Sequence, residues 1–126
     1  MVASARSQSA LLGHTTGPTE ADCFVWNGSG GIKNNCSAKR WWIMPLVYDD
    51  AGTSTFSVGV TATTSAGPVE CAACSGDRFG SGVSCAPRGI RSGTGYAQST
   101  KYKQGYGGAW MACLMPQGAS ISTLHY

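Results

Sequence analysis

The sequence predicts an all-β fold, a two-sheet antiparallel β-sandwich of seven or eight strands stapled by disulfides. Three observations carry this expectation. Short blocks of apolar and polar residues recur at regular spacing with turn-forming residues between them, the pattern of a sandwich rather than of helices. Glycine is abundant, 18 of 126 residues, and many of the rest are Ser, Thr and Ala; Gly supplies the positive φ that tight turns between strands require. The six cysteines are an even number in a small chain, as in an oxidised, exported domain that needs covalent staples to supplement a modest core. No segment has helical periodicity, and there is no internal repeat.

Residues 1–19 are small and polar without alternation and are expected to form a flexible N-terminal arm, in which Ala10-Leu11-Leu12 lies along an edge or on a neighbouring subunit. Residues 20–126 are expected to form a single sandwich domain. Its first strand is Ala21–Trp26, and Asn27-Gly28-Ser29-Gly30-Gly31 turns the chain towards Cys36. A Cys23–Cys36 bridge would close a loop worth roughly 3 kcal/mol in chain-entropy terms. Lys39–Tyr48 is the most apolar block; Pro45 has no N–H for a ladder, so the strand lies at an edge or bulges there. Asp49-Asp50-Ala51-Gly52 is turn chemistry. The clearest strand follows, with Phe56, Val58, Val60 and Ala62 on a dry face and Ser57, Gly59, Thr61 and Thr63 on a wet one. Ser65-Ala66-Gly67-Pro68 is expected to end it. A strand from Pro68 through Cys74 then returns through a Gly-rich loop to Cys85, and Ala86-Pro87-Arg88-Gly89 breaks the chain again. Tyr96–Lys103 reads as a polar strand, Ala109–Met115 as an apolar one, Pro116-Gln117-Gly118 as a tight turn, and Ser120–Tyr126 as the last strand.

This layout resembles a set of small secreted bacterial cysteine-containing β-sandwich proteins. The shared features are the early Cys23-loop-Cys36, Ile43-Met44-Pro45-Leu46, Val69-Glu70-Cys71, and Trp110-Met111-Ala112-Cys113-Leu114-Met115-Pro116-Gln117-Gly118. The resemblance covers residues 21–126, and Cys74 and Cys85 are an addition to it. No activity is attached to that set, so the resemblance implies fold and secretion only.

Three arrangements of the thiols compete. Cys71-x-x-Cys74 has the spacing of half a zinc site that Cys85 and Cys113 would complete, and equally that of a redox dithiol. The redox motif belongs at a helix N-terminus, whereas these flanks read as strand and turn. Residues three apart on a strand face opposite sides, so Cys71 and Cys74 are expected to take different partners. Disulfides Cys71–Cys113 and Cys74–Cys85, besides Cys23–Cys36, are therefore the expected set, with no metal or cofactor. The N-terminus lacks the basic and apolar regions of a signal peptide. Met1 is accordingly expected to head a mature form whose leader has been removed; a cytosolic chain with reduced thiols is the alternative.

Charge narrows the partners. Charged residues are 12% of the chain and the net charge is +3, with the basic residues dispersed. That is not the clustered basic stripe of a nucleic-acid binder, and no apolar run reaches the ~20 residues of a membrane span. The carboxylates are few, and the adjacent Asp49 and Asp50 do not readily face each other across a cleft as glycoside hydrolysis needs. His14 lies in the arm and His125 near the end. The aromatics point further. Trp41 and Trp42 are consecutive, so one faces the core and the other faces out, while Tyr48, Tyr96, Tyr102 and Tyr106 sit in polar surroundings. Flat apolar rings with polar tips beside Asn, Gln and Arg suit a glycan- or protein-binding face. Trp41, Trp42, Tyr48, Tyr102 and Tyr106 are the candidate binding residues. The expected function is secreted binding of a glycan or cell-surface component, or self-assembly through a sheet edge into a homo-oligomer; a small secreted hydrolase of cell-wall or polysaccharide material is the second reading.

Overall fold

The computed structural model describes residues 7–17, 21–28, 30–46, 54–76, 82–103 and 108–126, with backbone alone at 21, 54, 65, 66, 102 and 103. Among these residues it is all-β, with ten strands: β1 (Ser7–Ser9), β2 (His14–Thr15), β3 (Phe24–Trp26), β4 (Ile32–Asn34), β5 (Arg40–Pro45), β6 (Ser54–Ser75), β7 (Ser84–Cys85), β8 (Gly89–Lys103), β9 (Ala109–Met115) and β10 (Ser120–His125). Single 3-10 turns at Ala10–Leu12 and Ala21–Cys23 complete the elements among the described residues. No helix among these residues is long and apolar enough to cross a membrane.

The expected pair of separate sheets is not what forms. All ten strands join one antiparallel sheet, in the order β2-β5-β9-β6-β10-β4-β3, with β7 and β8 also on β6 and β1 on β10. The cause lies at Ser65–Pro68, which bends a strand instead of ending one. β6 runs on for 22 residues and β8, 15 residues long, follows it on both sides of the bend. Pairing skips between Thr64 and Val69, and Pro68 falls in that gap, where its missing N–H costs no ladder bond. Gly67 takes φ 138° there, and the Thr64 hydroxyl donates to the Gly67 carbonyl. Before the bend β6 pairs with β10, and after it with β9. The sheet thus curls into a half-barrel. Val58 and Val60 of the first half, Ile121 and Leu124 of β10, Val69 and Cys71 of the second half, and Met111, Cys113 and Met115 of β9 meet in one buried cluster. Burying such side chains contributes about 1.5–3 kcal/mol each.

Disulfides join Cys23 to Cys36, Cys71 to Cys113 and Cys74 to Cys85. The second and third link residues directly opposite each other, on β6–β9 and β6–β7. Cys71 lies in the main core, whereas Cys74 packs with Ala72 and Ala112 on the other face of the sheet. With their sulfurs bonded in pairs, these cysteines are not thiolate ligands for zinc.

Within residues 7–17, a stretch expected to lie in a loose arm, β1 and β2 belong to the sheet. β1 pairs with β10 on one half and β2 with β5 on the other, so the segment ties the two halves together. Gln8 Nε2 donates to the Pro45 carbonyl at 2.8 Å, and Tyr126 Oη donates to Gln8 Oε1 at 2.8 Å. The Trp42 indole N–H donates to the Ala10 carbonyl at 2.8 Å.

At the opposite side the curl brings Gly89 onto β8 itself. A Cβ at Gly89 would sit 1.9 Å from the Gln98 carbonyl oxygen, a backbone atom that cannot swing aside. Gly89→Ala is expected to lower stability by about 1–3 kcal/mol through overpacking. Urea unfolding would show this as a lower midpoint at unchanged m-value; an unchanged midpoint would mean that the two halves do not close here.

Candidate functional site

β8 alternates outward Tyr96, Gln98 and Thr100 with inward Ala97 and Ser99. Opposite them on β6 lie Thr61, Gly59 and Ser57, in register. Gly59 also faces His125 of β10, and His125 faces Ser7 of β1. One row therefore crosses four strands, Gln98–Gly59–His125–Ser7, and it has no side chain at Gly59. That gap is the floor of a groove of about 590 Å³.

The walls are held in place by short contacts. The Tyr96 ring, 54% exposed, meets the His125 imidazole edge-on, with centroids 5.8 Å apart and planes at 76°. His125 Nδ1 lies 3.1 Å from Ser7 Oγ, and Ser57 Oγ lies 2.8 Å from Thr100 Oγ1. The far wall is Pro87-Arg88, pinned to β8 where Ser99 Oγ donates to the Pro87 carbonyl at 3.1 Å. The groove thus offers one exposed aromatic ring, an amide, hydroxyls, an imidazole and a guanidinium. Such a set has the chemistry to take a neutral polyhydroxylated molecule, a ring for apolar C–H surface and polar tips for orientation.

Arg88 faces a second surface too. Its Cζ lies 4.9 Å from the centroid of the Trp41 ring, and its Nη1 is 3.5 Å from Glu70 Oε1. Trp41 is half-buried on the outer face of the second half, where Trp41, Ile43 and Trp110 pack around Ala72, Cys74 and Ala112.

Of the five aromatic residues expected to bind, Trp41 and Trp42 are the two whose side chains lie within the described residues, and they take opposite faces of β5. Trp41 stands beside the groove, joined to it by Arg88. Trp42 is the inward member of the pair: only 7% exposed, its ring centroid 4.8 Å from that of Phe24, its N–H taken by Ala10. A ring so enclosed has no face to offer a ligand. Tyr102 lies opposite Thr55 in β8, with its side chain outside the described residues, as Tyr48 and Tyr106 are altogether. Tyr96, Gln98, Thr100, Gly59 and Arg88 are not among the expected site residues, although the period-two run Tyr96-x-Gln98-x-Thr100 marks a wet face. His125 and Ser7 carry no local signal; only the placing of β1 and β10 brings them to the row.

No protein-family model matches the chain, and no curated protein matches it. Solved structures match its fold. A native family 35 carbohydrate binding module from Clostridium thermocellum superposes with a TM-score of 0.61, covering 98% of this chain and 97% of that one at 10% identity. A carbohydrate binding module of Cellvibrio mixtus lichenase 5A, in complex with cellotriose, gives 0.51 over 95% and 94% at 10% identity. The Podospora anserina GH26-CBM35 β-(1,4)-mannanase gives 0.51 at 9% identity; 96% of this chain is covered but only 27% of the mannanase. At these identities the likeness is one of fold.

Proposed function

We propose that this chain is a secreted glycan-binding module, with the sugar lying over Gly59 and against the Tyr96 ring. The observation that carries the reading is the exposed Tyr96, standing edge-on to His125 near Gly59, which the Gln98 side chain borders, and flanked by the Ser57–Thr100 pair. A pyranose offers an apolar C–H face and a belt of hydroxyls, and this groove answers both. The fold shared with two carbohydrate binding modules and a module-bearing mannanase supports it. Secretion is supported by the pairing of all six cysteines, the chemistry of an oxidising compartment. Among the described residues lining the groove there is no carboxylate, so the two acids of glycoside hydrolysis are not present there. Binding is the better reading.

Native affinity electrophoresis through gels containing soluble β-1,4-glucan or β-1,4-mannan tests it. The wild-type protein is expected to be retarded by at least one polymer. Tyr96→Ala should weaken that binding about tenfold or more, while Tyr96→Phe, which keeps the ring, should stay close to wild type. Because Tyr96 lies at the surface, the unfolding midpoint of Tyr96→Ala should hardly move. Equal retardation of wild type and Tyr96→Ala would refute the assignment.

A further inference from the structure

We infer that the ligand is an extended glycan chain that leaves the groove past Arg88 and makes a second aromatic contact on Trp41. This rests on the groove being the glycan site, and it adds a length requirement to that site. Arg88 is the residue the two surfaces share: it lines the groove and its guanidinium also covers the Trp41 ring at 4.9 Å. Trp41 faces out because its neighbour Trp42 is committed to the core. In register, Trp41 lies across from Leu114, Leu114 from Glu70, and Glu70 from Ile90, so the row runs from β5 to β8 across β9 and β6. Three strand spacings make this row about 14 Å long, more than one sugar ring can cover, and Ile90 at its far end follows directly on Gly89 of the groove lining.

The cover on Trp41 is exchangeable. Arg88 is 44% exposed and reaches Glu70 through a single 3.5 Å contact. Ion pairs and cation–π contacts at such exposure are weak. A chain emerging from the groove offers hydroxyls to the guanidinium and the C–H face of the next ring to the indole, replacing both contacts at little cost. The Arg88–Glu70 pair then stands midway along the track with donors and acceptors for those hydroxyls. A single sugar held in the groove would have no use for Trp41.

Titration calorimetry with cellotriose, cellohexaose, mannotriose and mannohexaose separates the outcomes. For the series that binds, the hexasaccharide is expected to bind wild type about five- to tenfold more tightly than the trisaccharide. Trp41→Ala should erase that gain and leave the trisaccharide affinity unchanged. Trp41→Tyr, which restores a ring, should recover most of it, and this rescue guards against a merely misfolded alanine variant. A hexasaccharide-to-trisaccharide ratio equal in wild type and Trp41→Ala would overturn the track while leaving the groove intact. Trisaccharide binding insensitive to Tyr96→Ala would overturn the groove itself, and failure of wild type to bind any of the four would overturn both.

Discussion

Trp42→Ala is expected to lower the unfolding free energy by about 3–5 kcal/mol, the range for removing a large aromatic ring from a packed core. The loss has two sources. The indole packs on Phe24 within the main cluster, and nothing small can refill that space without moving β5 or the segment tying the two halves of the sheet. The Ala10 carbonyl, itself in a fully buried residue, loses one of its two donors and keeps the Gly13 N–H at 3.2 Å, so this source is the smaller one. Trp42→Phe keeps most of the packing and isolates the second source. Trp41→Ala, one residue away but half-buried on the outer face, should cost no more than about 1 kcal/mol. Urea denaturation of the three variants reads this directly. Equal losses for the two alanine variants would mean that the inward and outward sides of β5 have been assigned wrongly.

Removing the Cys71–Cys113 bridge by the double change to alanine should have the second large effect. Its cysteines are 42 residues apart, the widest separation of the three bridges, against 13 and 11 for the others. Chain-entropy scaling gives about 4 kcal/mol for the first and about 3 kcal/mol for each of the others. The bridge also crosses the core, tying the second half of β6 to β9 at Cys71 and Cys113, both fully buried. Three alanine pairs compared by denaturant unfolding should therefore rank with this one the most destabilised. A smaller loss here than for Cys74→Ala with Cys85→Ala would show that loop size does not govern these bridges.

The dry and wet faces of β6 were legible because Phe56, Val58, Val60 and Ala62 alternate without interruption. The different partners of Cys71 and Cys74 follow from the same period. Alternation also requires one of Trp41 and Trp42 to face in, but it cannot say which. Partners distant in the chain hold Trp42 inward, Phe24 and Ala10, the latter in a segment whose strands of three and two residues are too short to show any period of their own. Gly67-Pro68 reads equally well as the end of a strand or as a bulge within one. Only the presence of a single partner on both sides, β8, makes it a bend, and partnership is a property of the whole sheet. The groove divides along the same line. Its β8 wall is written in adjacent residues, whereas His125 and Ser7 are 118 residues apart and meet through topology alone.

The pairing of Ser7 with His125 has a mechanical consequence. Tension applied at these two residues would act across the β1–β10 ladder from its open end, parting one pair of residues at a time instead of shearing them together, so yielding would begin at low force. Once the outer strands had peeled away, the three sulfur bonds would shorten the chain that could be drawn out. A tether anchored through both ends would stretch early, then stiffen, and snap back when slackened.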